Sequence, residues 1–328
     1  MPEASPSRPS RPCRPSRPCR PSRPCRPSLP CRPSLPCRPL RPWRPIGAHA
    51  PVTGGLATGS LRYAAAVKAE AIQVFVTNPR AWSTTAGDEG QISALREHVG
   101  KTGLPVFVHA PYLINLGSPD PVVRERSAGM LEFCARRGEA IGARGVVVHA
   151  GSAIDTDRQA GLRRMRETLL PLLDGLSPAG PDLLIEPIAG QGQMLCATIG
   201  DLGPYLDALD WHPRALLCLD TCHLFGAGHD LTGPDGVATT LAELDQVAPG
   251  RVRLIHANDA KDPCGSNRDR HEAIGAGTLR RKPFWDLLHH PATAGVAFVV
   301  ETPGGEAGQA KDIGRLKRLR GSANPPAR

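Results

Sequence analysis

The chain has 328 residues, enough for one large domain or two small ones, and an α/β barrel often uses about 250 residues as one domain. Its formal net charge is +9, but residues 1–45 hold eleven arginines and one acid and so carry +10. The other 283 residues sum to −1, so net charge does not identify a partner for the folded part. Any attraction of that part to an anion must come from local charge or bound metal.

The sequence excludes an ordinary membrane or secreted protein. No apolar run approaches the roughly 18 to 20 residues that span a bilayer. The arginine-rich start has no apolar core behind it, so it is not a secretory signal. Five of the ten cysteines recur every six residues near the start, and the other five are scattered without a CxxC pair. This pattern indicates reduced thiols and predicts a cytoplasmic protein.

Residues 1–45 form a degenerate repeat with a unit close to Arg-Pro-Ser-Arg-Pro-Cys. Proline at about every third position removes backbone donors, so neither helix nor sheet can form. Few apolar residues are present to bury a core. We predict a disordered basic tail over 1–45. Its arginines could bind DNA without sequence preference, or the segment has no function.

From Ile46 onward, short apolar runs alternate with longer stretches of helical periodicity. The runs are continuous rather than alternating, as parallel strands buried on both faces require. Eight of them are present, at 46–50, 71–76, 104–110, 145–150, 182–187, 215–220, 253–259 and 295–302.

Candidate helices lie between the runs, for example at 60–70, 122–143 and 157–176. Eight strand–helix units in about 270 residues are typical of a closed barrel. We therefore predict an α/β fold, a (β/α)8 TIM barrel over 46–320, with a short C-terminal tail at 321–328.

Polar residues end six successive runs, from the third to the eighth. In such barrels the carboxyl ends of the strands carry the active site. One histidine at a strand end is commonplace, but six consecutive strand ends point to a shared site. These residues and their close followers are His109, His149, Glu186, Asp220, His223, His256, Asp269, His271 and Glu301.

Five histidines and four carboxylates are too many for one ion, because a catalytic zinc usually takes three protein ligands and a water. Nine ligands with one bridging carboxylate suit three ions. Mixed imidazole and carboxylate ligands favour Zn²⁺ or Mn²⁺ over Mg²⁺ or Ca²⁺. Three divalent ions and four carboxylates give a site charge of about +2, which would attract a phosphodiester.

The candidate ligands lie within six longer motifs. They are HAPYLINLGSPD at 109–120, VVHAGS at 147–152, IEPIAGQG at 185–192, LDTCHLFGAGHDL at 219–231, HANDAKDPCGSNRDRHEAIGAG at 256–277 and ETPGG at 301–305. In these motifs the sequence resembles the endonuclease IV family of apurinic/apyrimidinic endonucleases, over about residues 46–320. The resemblance implies a DNA repair enzyme that hydrolyses the phosphodiester 5′ to an abasic site and leaves a 3′-hydroxyl and a 5′-deoxyribose phosphate. Its substrate would be double-stranded DNA containing abasic sites, and we expect a monomer.

The resemblance implies three zinc ions per chain, with Mn²⁺ as an alternative at one or more sites. Glu186 would bridge the first two ions, and Glu186 and Glu301 would be the catalytic residues. The first ion would bind His109, His149 and Glu186. The second would bind Glu186, Asp220, His256 and Glu301. The third would bind His223, Asp269 and His271.

The family also implies residues that enter the duplex at the lesion. An abasic nucleotide is cheaper to flip out of the stack than a normal one, and an inserted side chain fills the gap. Arg80, in the loop after the second strand, and Tyr112 and Leu113, after the third, match the inserting positions. Pro187 departs from the small polar residue that commonly follows the bridging glutamate.

Two other functions are compatible with parts of the pattern. A sugar isomerase or epimerase of the same barrel superfamily needs one metal site, which Glu186, Asp220, His256 and Glu301 could form alone. That alternative leaves the other five candidate ligands unexplained. A DNA-binding protein that uses its basic tail and a barrel scaffold would need no metal, so a metal count separates the three hypotheses.

Overall fold

The structure, a computed structural model, describes residues 43–84, 87–154 and 156–326. Eight parallel strands close into a barrel in which each strand pairs with its neighbours along the chain and the last pairs with the first. The predicted (β/α)8 TIM barrel is confirmed. Its strands are β1 (Ile46–His49), β2 (Ile72–Val74), β3 (Val106–His109), β4 (Gly145–His149), β5 (Asp182–Glu186), β6 (Ala215–Asp220), β7 (Val252–His256) and β10 (Ala297–Val300).

Helices pack around the strands. They are α1 (Leu56–Val67), α2 (Glu89–Thr102), α3 (Pro121–Ile141), α4 (Arg158–Asp174), α5 (Ile199–Asp207), α6 (Thr221–Gly226), α7 (Gly236–Val247), α8 (Lys282–His289) and α9 (Gly305–Gly321).

Local capping sets the helix ends close to the predicted ones. Asp120 accepts a hydrogen bond from the Val122 backbone N–H, and proline occupies the first position of α3. The helix ends where Gly142 takes a φ of 73°, a left-handed conformation that favours glycine. The helix predicted at 60–70 instead begins at Leu56, behind the glycine turn, and ends before Lys68.

Two hydrophobic clusters fill the fold. The larger one joins the strands to the surrounding helices. The smaller one belongs to strand positions of opposite parity, which face the barrel interior. It comprises Ala71, Phe107, Val147, Leu184, Leu216, Cys218, Leu254, Ala297 and Val299.

A two-stranded hairpin, β8 (Asp259–Ala260) with β9 (His271–Glu272), lies in the connection after β7 and was not predicted. Its strands are two residues long, too short to give a periodic signal. The buried Asp259 carboxylate accepts hydrogen bonds from the backbone N–H groups of Ala260, Gly275, Gly277 and Leu279. This carboxylate therefore fixes the loop that follows the hairpin.

The folded unit starts earlier than the predicted boundary at residue 45. The Arg44 guanidinium is buried and donates to the Thr293 hydroxyl and the His290 carbonyl. The Phe298 N–H donates to the Pro45 carbonyl at 2.8 Å. Sequence reasoning assigned these residues to the tail because the Arg-Pro pattern continues through them. The disorder predicted for residues 1–42 lies outside the described residues.

Within the part of the chain that the structure describes, none of the helices combines the length and apolar character that crossing a membrane requires.

Candidate metal centre

The sequence-predicted ligands at the strand ends lie on the inward face of the barrel. Residues i and i+2 of a strand share a face, and Glu186 follows the interior residue Leu184 by two positions. The same spacing holds along the other strands. It relates His109 to Phe107, His149 to Val147, Asp220 to Cys218, His256 to Leu254 and Glu301 to Val299.

Strands β1 and β2 contribute to the same polar end of the interior. Gln73 follows the interior residue Ala71 by two positions, and His49 follows Gly47. A Cβ on Gly47 would lie 1.6 Å from the Ala71 carbonyl oxygen, so only glycine fits where these strands approach. All eight barrel strands therefore direct a polar side chain towards one end of the interior.

The structure brings His109, His149 and Glu186 together. The Nε2 atoms of both histidines lie 3.5 Å from the same Glu186 oxygen, Oε2. Such distances are long for good hydrogen bonds. They are close to the roughly 3.3 Å that separates two atoms bound at about 2.0–2.1 Å to one tetrahedral ion. The ligand atoms of this group therefore fit a shared divalent ion.

A second group centres on His256 Nδ1, which faces three carboxylates. Its distances are 2.9 Å to Glu186 Oε1, 3.4 Å to Glu301 Oε2 and 3.8 Å to Asp220 Oδ2. Glu186 thus presents one oxygen to the first group and the other to the second. A single carboxylate placed in this way is able to bridge two ions.

The third group joins a short helix to the hairpin. Asp220 accepts hydrogen bonds from the backbone N–H groups of Cys222 and His223, and so begins α6. This turn directs His223 Nε2 to within 3.2 Å of Asp269 Oδ2, while His271 Nε2 lies 2.9 Å from Asp269 Oδ1. The first two groups are largely buried, whereas the Asp269 side chain is 43% exposed, so this group lies nearer to solvent.

Backbone carbonyls select which nitrogen two of these histidines present. His109 Nδ1 lies 2.7 Å from the Ala110 carbonyl and His223 Nδ1 lies 3.1 Å from the Pro187 carbonyl. A proton on each Nδ1 leaves the Nε2 lone pair free for a metal. Pro187, which departs from the family pattern, uses only its carbonyl here and therefore retains this contact.

The electrostatics of the site are those of carboxylates and imidazoles held in close proximity. Burial alone would raise the pKa of Glu186, but the neighbouring imidazoles of His256, His109 and His223 hold that pKa well below its usual range. Burial alone would lower the pKa of His271, yet Asp220 and Asp269 raise it to about 9. Burial also lowers the pKa of His149, to about 4, and there it prevails. In the protein alone, imidazolium charge balances the carboxylates, which is the charge that divalent cations would otherwise supply.

Among the described residues, three buried atoms of the candidate ligands have no hydrogen-bond partner. They are Glu186 Oε2, His223 Nε2 and His271 Nε2. An unpartnered buried polar atom is costly and calls for an explanation. Each of the three belongs to one of the groups whose ligand atoms lie within 4.8 Å of one another. The donor set and its unpaired atoms therefore fit divalent metal ions.

Comparisons with known proteins agree with this geometry. Residues 61–319 match the family model described as xylose isomerase-like TIM barrel. A curated protein named "Probable endonuclease 4" from Streptomyces coelicolor is 55% identical over 277 residues, which are 84% of this chain and 94% of that protein. The protein of the same name from Streptomyces avermitilis is 52% identical over 277 residues, 84% of this chain and 89% of that one.

The chain belongs to the endonuclease IV family.

Solved structures agree with this membership, and the chain is an enzyme of that family. Endonuclease IV from Thermus thermophilus superposes with a TM-score of 0.74 at 28% identity and covers 84% of this chain and 98% of its own. A D-tagatose 3-epimerase-like protein gives a TM-score of 0.64 at 18% identity, with 84% and 98% covered. The second likeness shows the barrel fold alone.

The three residues predicted from the resemblance to enter the duplex, Arg80, Tyr112 and Leu113, lie in the loops that follow β2 and β3. Tyr112 is 52% exposed, and the centroid of its ring lies 5.5 Å from that of His109 and 5.8 Å from that of His149. Leu113 is 36% exposed beside it. The Tyr112 N–H donates to the Pro79 carbonyl, which joins this loop to the loop of the exposed Arg80.

Sequence reasoning missed three polar residues of the site. His49 Nδ1 lies 3.0 Å from Glu301 Oε1, and Gln73 contacts both Glu301 and His256. Asn258 donates to Asp220 Oδ2 and accepts from the Glu301 N–H. A signal was present, because His49 ends the first run and Gln73 is the one polar residue within the second. Neither residue was predicted, because only the ends of the third to eighth strands were assigned to the site.

Proposed function

We propose that this enzyme hydrolyses the DNA backbone 5′ to abasic sites and leaves a 3′-hydroxyl and a 5′-deoxyribose phosphate. The observation that carries the proposal is the convergence of nine histidine and carboxylate side chains around Glu186, whose two oxygens face different groups. Divalent ions held by these side chains would suit a phosphodiester, which has two ester oxygens and two free oxygens to engage.

Three zinc ions, or manganese at one or more positions, would be held by these groups. His109, His149 and Glu186 would hold the first, and His223, Asp269 and His271 the third. Glu186, Asp220, His256 and Glu301 would hold the second. Bound divalent ions lower the pKa of water, orient a phosphate and offset negative charge on a leaving oxygen.

The chain's own side chains would position the substrate. Tyr112 and Leu113 would enter the duplex where the base is missing, and Arg80 would contact the distorted strand. Burial raises the pKa of Tyr112 to about 12, so the phenol stays neutral at physiological pH. A neutral, partly apolar ring suits stacking within DNA. Glu186 and Glu301, the proposed catalytic residues, lie deeper in the barrel, on either side of His256 Nδ1.

The test uses a duplex with one abasic analogue, labelled at the 5′ end, and a matched intact duplex. We expect one cut 5′ to the lesion, a product end that a polymerase can extend, and loss of cutting with a chelator. The intact duplex should remain uncut. A cut that leaves an unsaturated aldehyde would contradict hydrolysis.

Elemental analysis of the same preparation separates this proposal from the alternatives. We expect about three zinc or manganese ions per chain. One ion, with no cutting of the lesion duplex, would favour the single-metal sugar isomerase, and no ion would favour a DNA-binding scaffold.

A further inference from the structure

Gln73 is buried in the barrel and contacts two of the proposed ligands of the second ion. Its side chain is fully shielded from solvent. Its Oε1 atom lies 2.9 Å from His256 Nε2, and its Nε2 atom lies 2.7 Å from Glu301 Oε1. One amide thus connects a histidine from β7 with the glutamate that follows β10.

The carboxylate determines which way the amide points. An ionised carboxylate only accepts hydrogen bonds, so the NH2 group of Gln73 must face Glu301. The reverse orientation would set the amide oxygen against a carboxylate oxygen. The Gln73 oxygen therefore faces His256, and it can only accept a hydrogen bond from an N–H group of that ring.

The amide in turn determines which nitrogen of His256 carries the proton. With the proton on Nε2, a neutral imidazole has its lone pair on Nδ1. Nδ1 is the atom that faces Glu186, Glu301 and Asp220 at 2.9, 3.4 and 3.8 Å. The acceptor at Gln73 thus leaves the metal-binding lone pair on the side where the carboxylates converge.

We propose that Gln73 is a positioning residue for the second metal site: it holds His256 in the Nε2-protonated form and orients the Glu301 carboxylate. This proposal rests on the metal-dependent function proposed above. Partners of ligating side chains typically change metal affinity about 10- to 100-fold when removed. Because Gln73 contacts two ligands of one ion, its removal should weaken the binding of that ion and leave the other two ions bound.

The experiment compares zinc-loaded full-length chains with Gln73→Met and Gln309→Met. Methionine fills a similar volume but has no amide. Gln309 is a matched control, because it is also a buried amide, but its hydrogen bonds go to the Tyr63 hydroxyl and the Thr302 carbonyl and to none of the proposed ligand side chains. Zinc per chain is measured after dialysis against graded chelator. We expect Gln73→Met to release one ion of three at about 10- to 100-fold lower chelator concentration, and Gln309→Met to match the unaltered chain.

A second measurement needs no variant of Gln73. Nitrogen-15 NMR of the zinc-loaded chain, with the His256 signal identified by its loss in His256→Gln, should show the proton on Nε2. A proton on Nδ1, or three ions released from Gln73→Met as from the unaltered chain, would overturn the role of Gln73 alone. An unaltered chain that holds no zinc would overturn both proposals. An unaltered chain that holds three ions but leaves abasic DNA uncut would overturn only the proposed function.

Discussion

At the scale of single residues, the neighbours of three histidines determine which ring nitrogen each histidine presents to the site. His109 and His223 each present Nε2 because a carbonyl takes the other nitrogen. His256 presents Nδ1 because Gln73 faces its Nε2. Fixed tautomers reduce the reorganisation needed when an ion binds. By contrast, Tyr112 and Leu113 have large exposed surfaces that nothing within the described part of the chain covers.

The paired change Tyr112→Ala and Leu113→Ala should keep the metals and weaken recognition of the lesion. Loss of an aromatic ring that stacks in nucleic acid costs about 1–3 kcal/mol. We therefore expect kcat/KM on an abasic duplex to fall about 10- to 100-fold. Cleavage at sub-saturating duplex, with zinc content measured alongside, provides the test.

Trp211→Ala is the matched control for this prediction. Trp211 is an exposed aromatic residue in the loop that leads into β6, at the opposite end of the barrel from the ligands. Its removal should leave cutting unchanged. Wild-type rates in the Tyr112 and Leu113 variant would show that other residues distort the duplex.

At the scale of elements, one carboxylate, that of Glu70, links the last helix to the first strand of the barrel. Glu70 accepts hydrogen bonds from the Ile46 N–H at the start of β1 and from Arg320 in α9. Lys317 lies 2.9 Å from the same carboxylate. Burial alone would raise the pKa of Glu70, but the bonds from Arg320, Lys317 and Ile46 lower it below the ordinary 4.5. This contact joins chain segments about 250 residues apart.

Glu70→Gln should destabilise the fold at neutral pH and have less effect in acid. A group whose folded pKa is depressed contributes stability above its unfolded pKa and loses it as pH falls through the folded value. Removing a partly buried charge that accepts several hydrogen bonds costs roughly 1–3 kcal/mol. The free energy of urea unfolding should fall by about that amount at pH 7, and the gap to the unaltered chain should narrow below about pH 4.

The control is Glu97→Gln, since Glu97 pairs with Lys101 on an exposed face of α2. Exposed pairs contribute little, so this variant should unfold with the unaltered chain. If the difference in the free energy of unfolding between Glu70→Gln and the unaltered chain stays constant from about pH 7 to about pH 3, packing rather than charge would explain the lost stability.

At the scale of the whole molecule, the boundary of the folded unit lies within the Arg-Pro sequence rather than after it. Trp43 contacts the Arg320 guanidinium, whose carbon lies 4.1 Å from the ring centroid. The Arg44 carbonyl accepts a hydrogen bond from Arg320. The Arg44 side chain is buried. Three residues at the end of the repeat thus complete the end of the barrel opposite the metal centre.

Deletions that end at residue 42 and at residue 45 should therefore behave differently. Removal of residues 1–42 should leave unfolding and cutting unchanged, and should weaken DNA affinity only at low salt. Removal of residues 1–45 also deletes the Arg44 and Pro45 bonds and should lower the free energy of unfolding by about 2–4 kcal/mol. Equal stability of the two truncated chains in urea would contradict the boundary, and failure of the shorter deletion to cut would give the tail a part in the activity.

The sequence by itself determined the architecture, because continuous apolar runs at regular spacing permit few arrangements besides a closed parallel barrel. It also determined the strand-end residues of the site, since residue type and the position after a strand are both local properties.

Tertiary structure decided the rest. Which Glu186 oxygen faces which histidine depends on the stagger of neighbouring strands, and no local pattern encodes that stagger. Gln73 reads as an ordinary polar interruption of a strand until closure of the barrel brings β2, β7 and β10 to the same interior. Arg44 reads as one more unit of a repeat until α9 and the turn after α8 pack around it. Long-range contacts decided these features because each one joins segments that are distant in the chain.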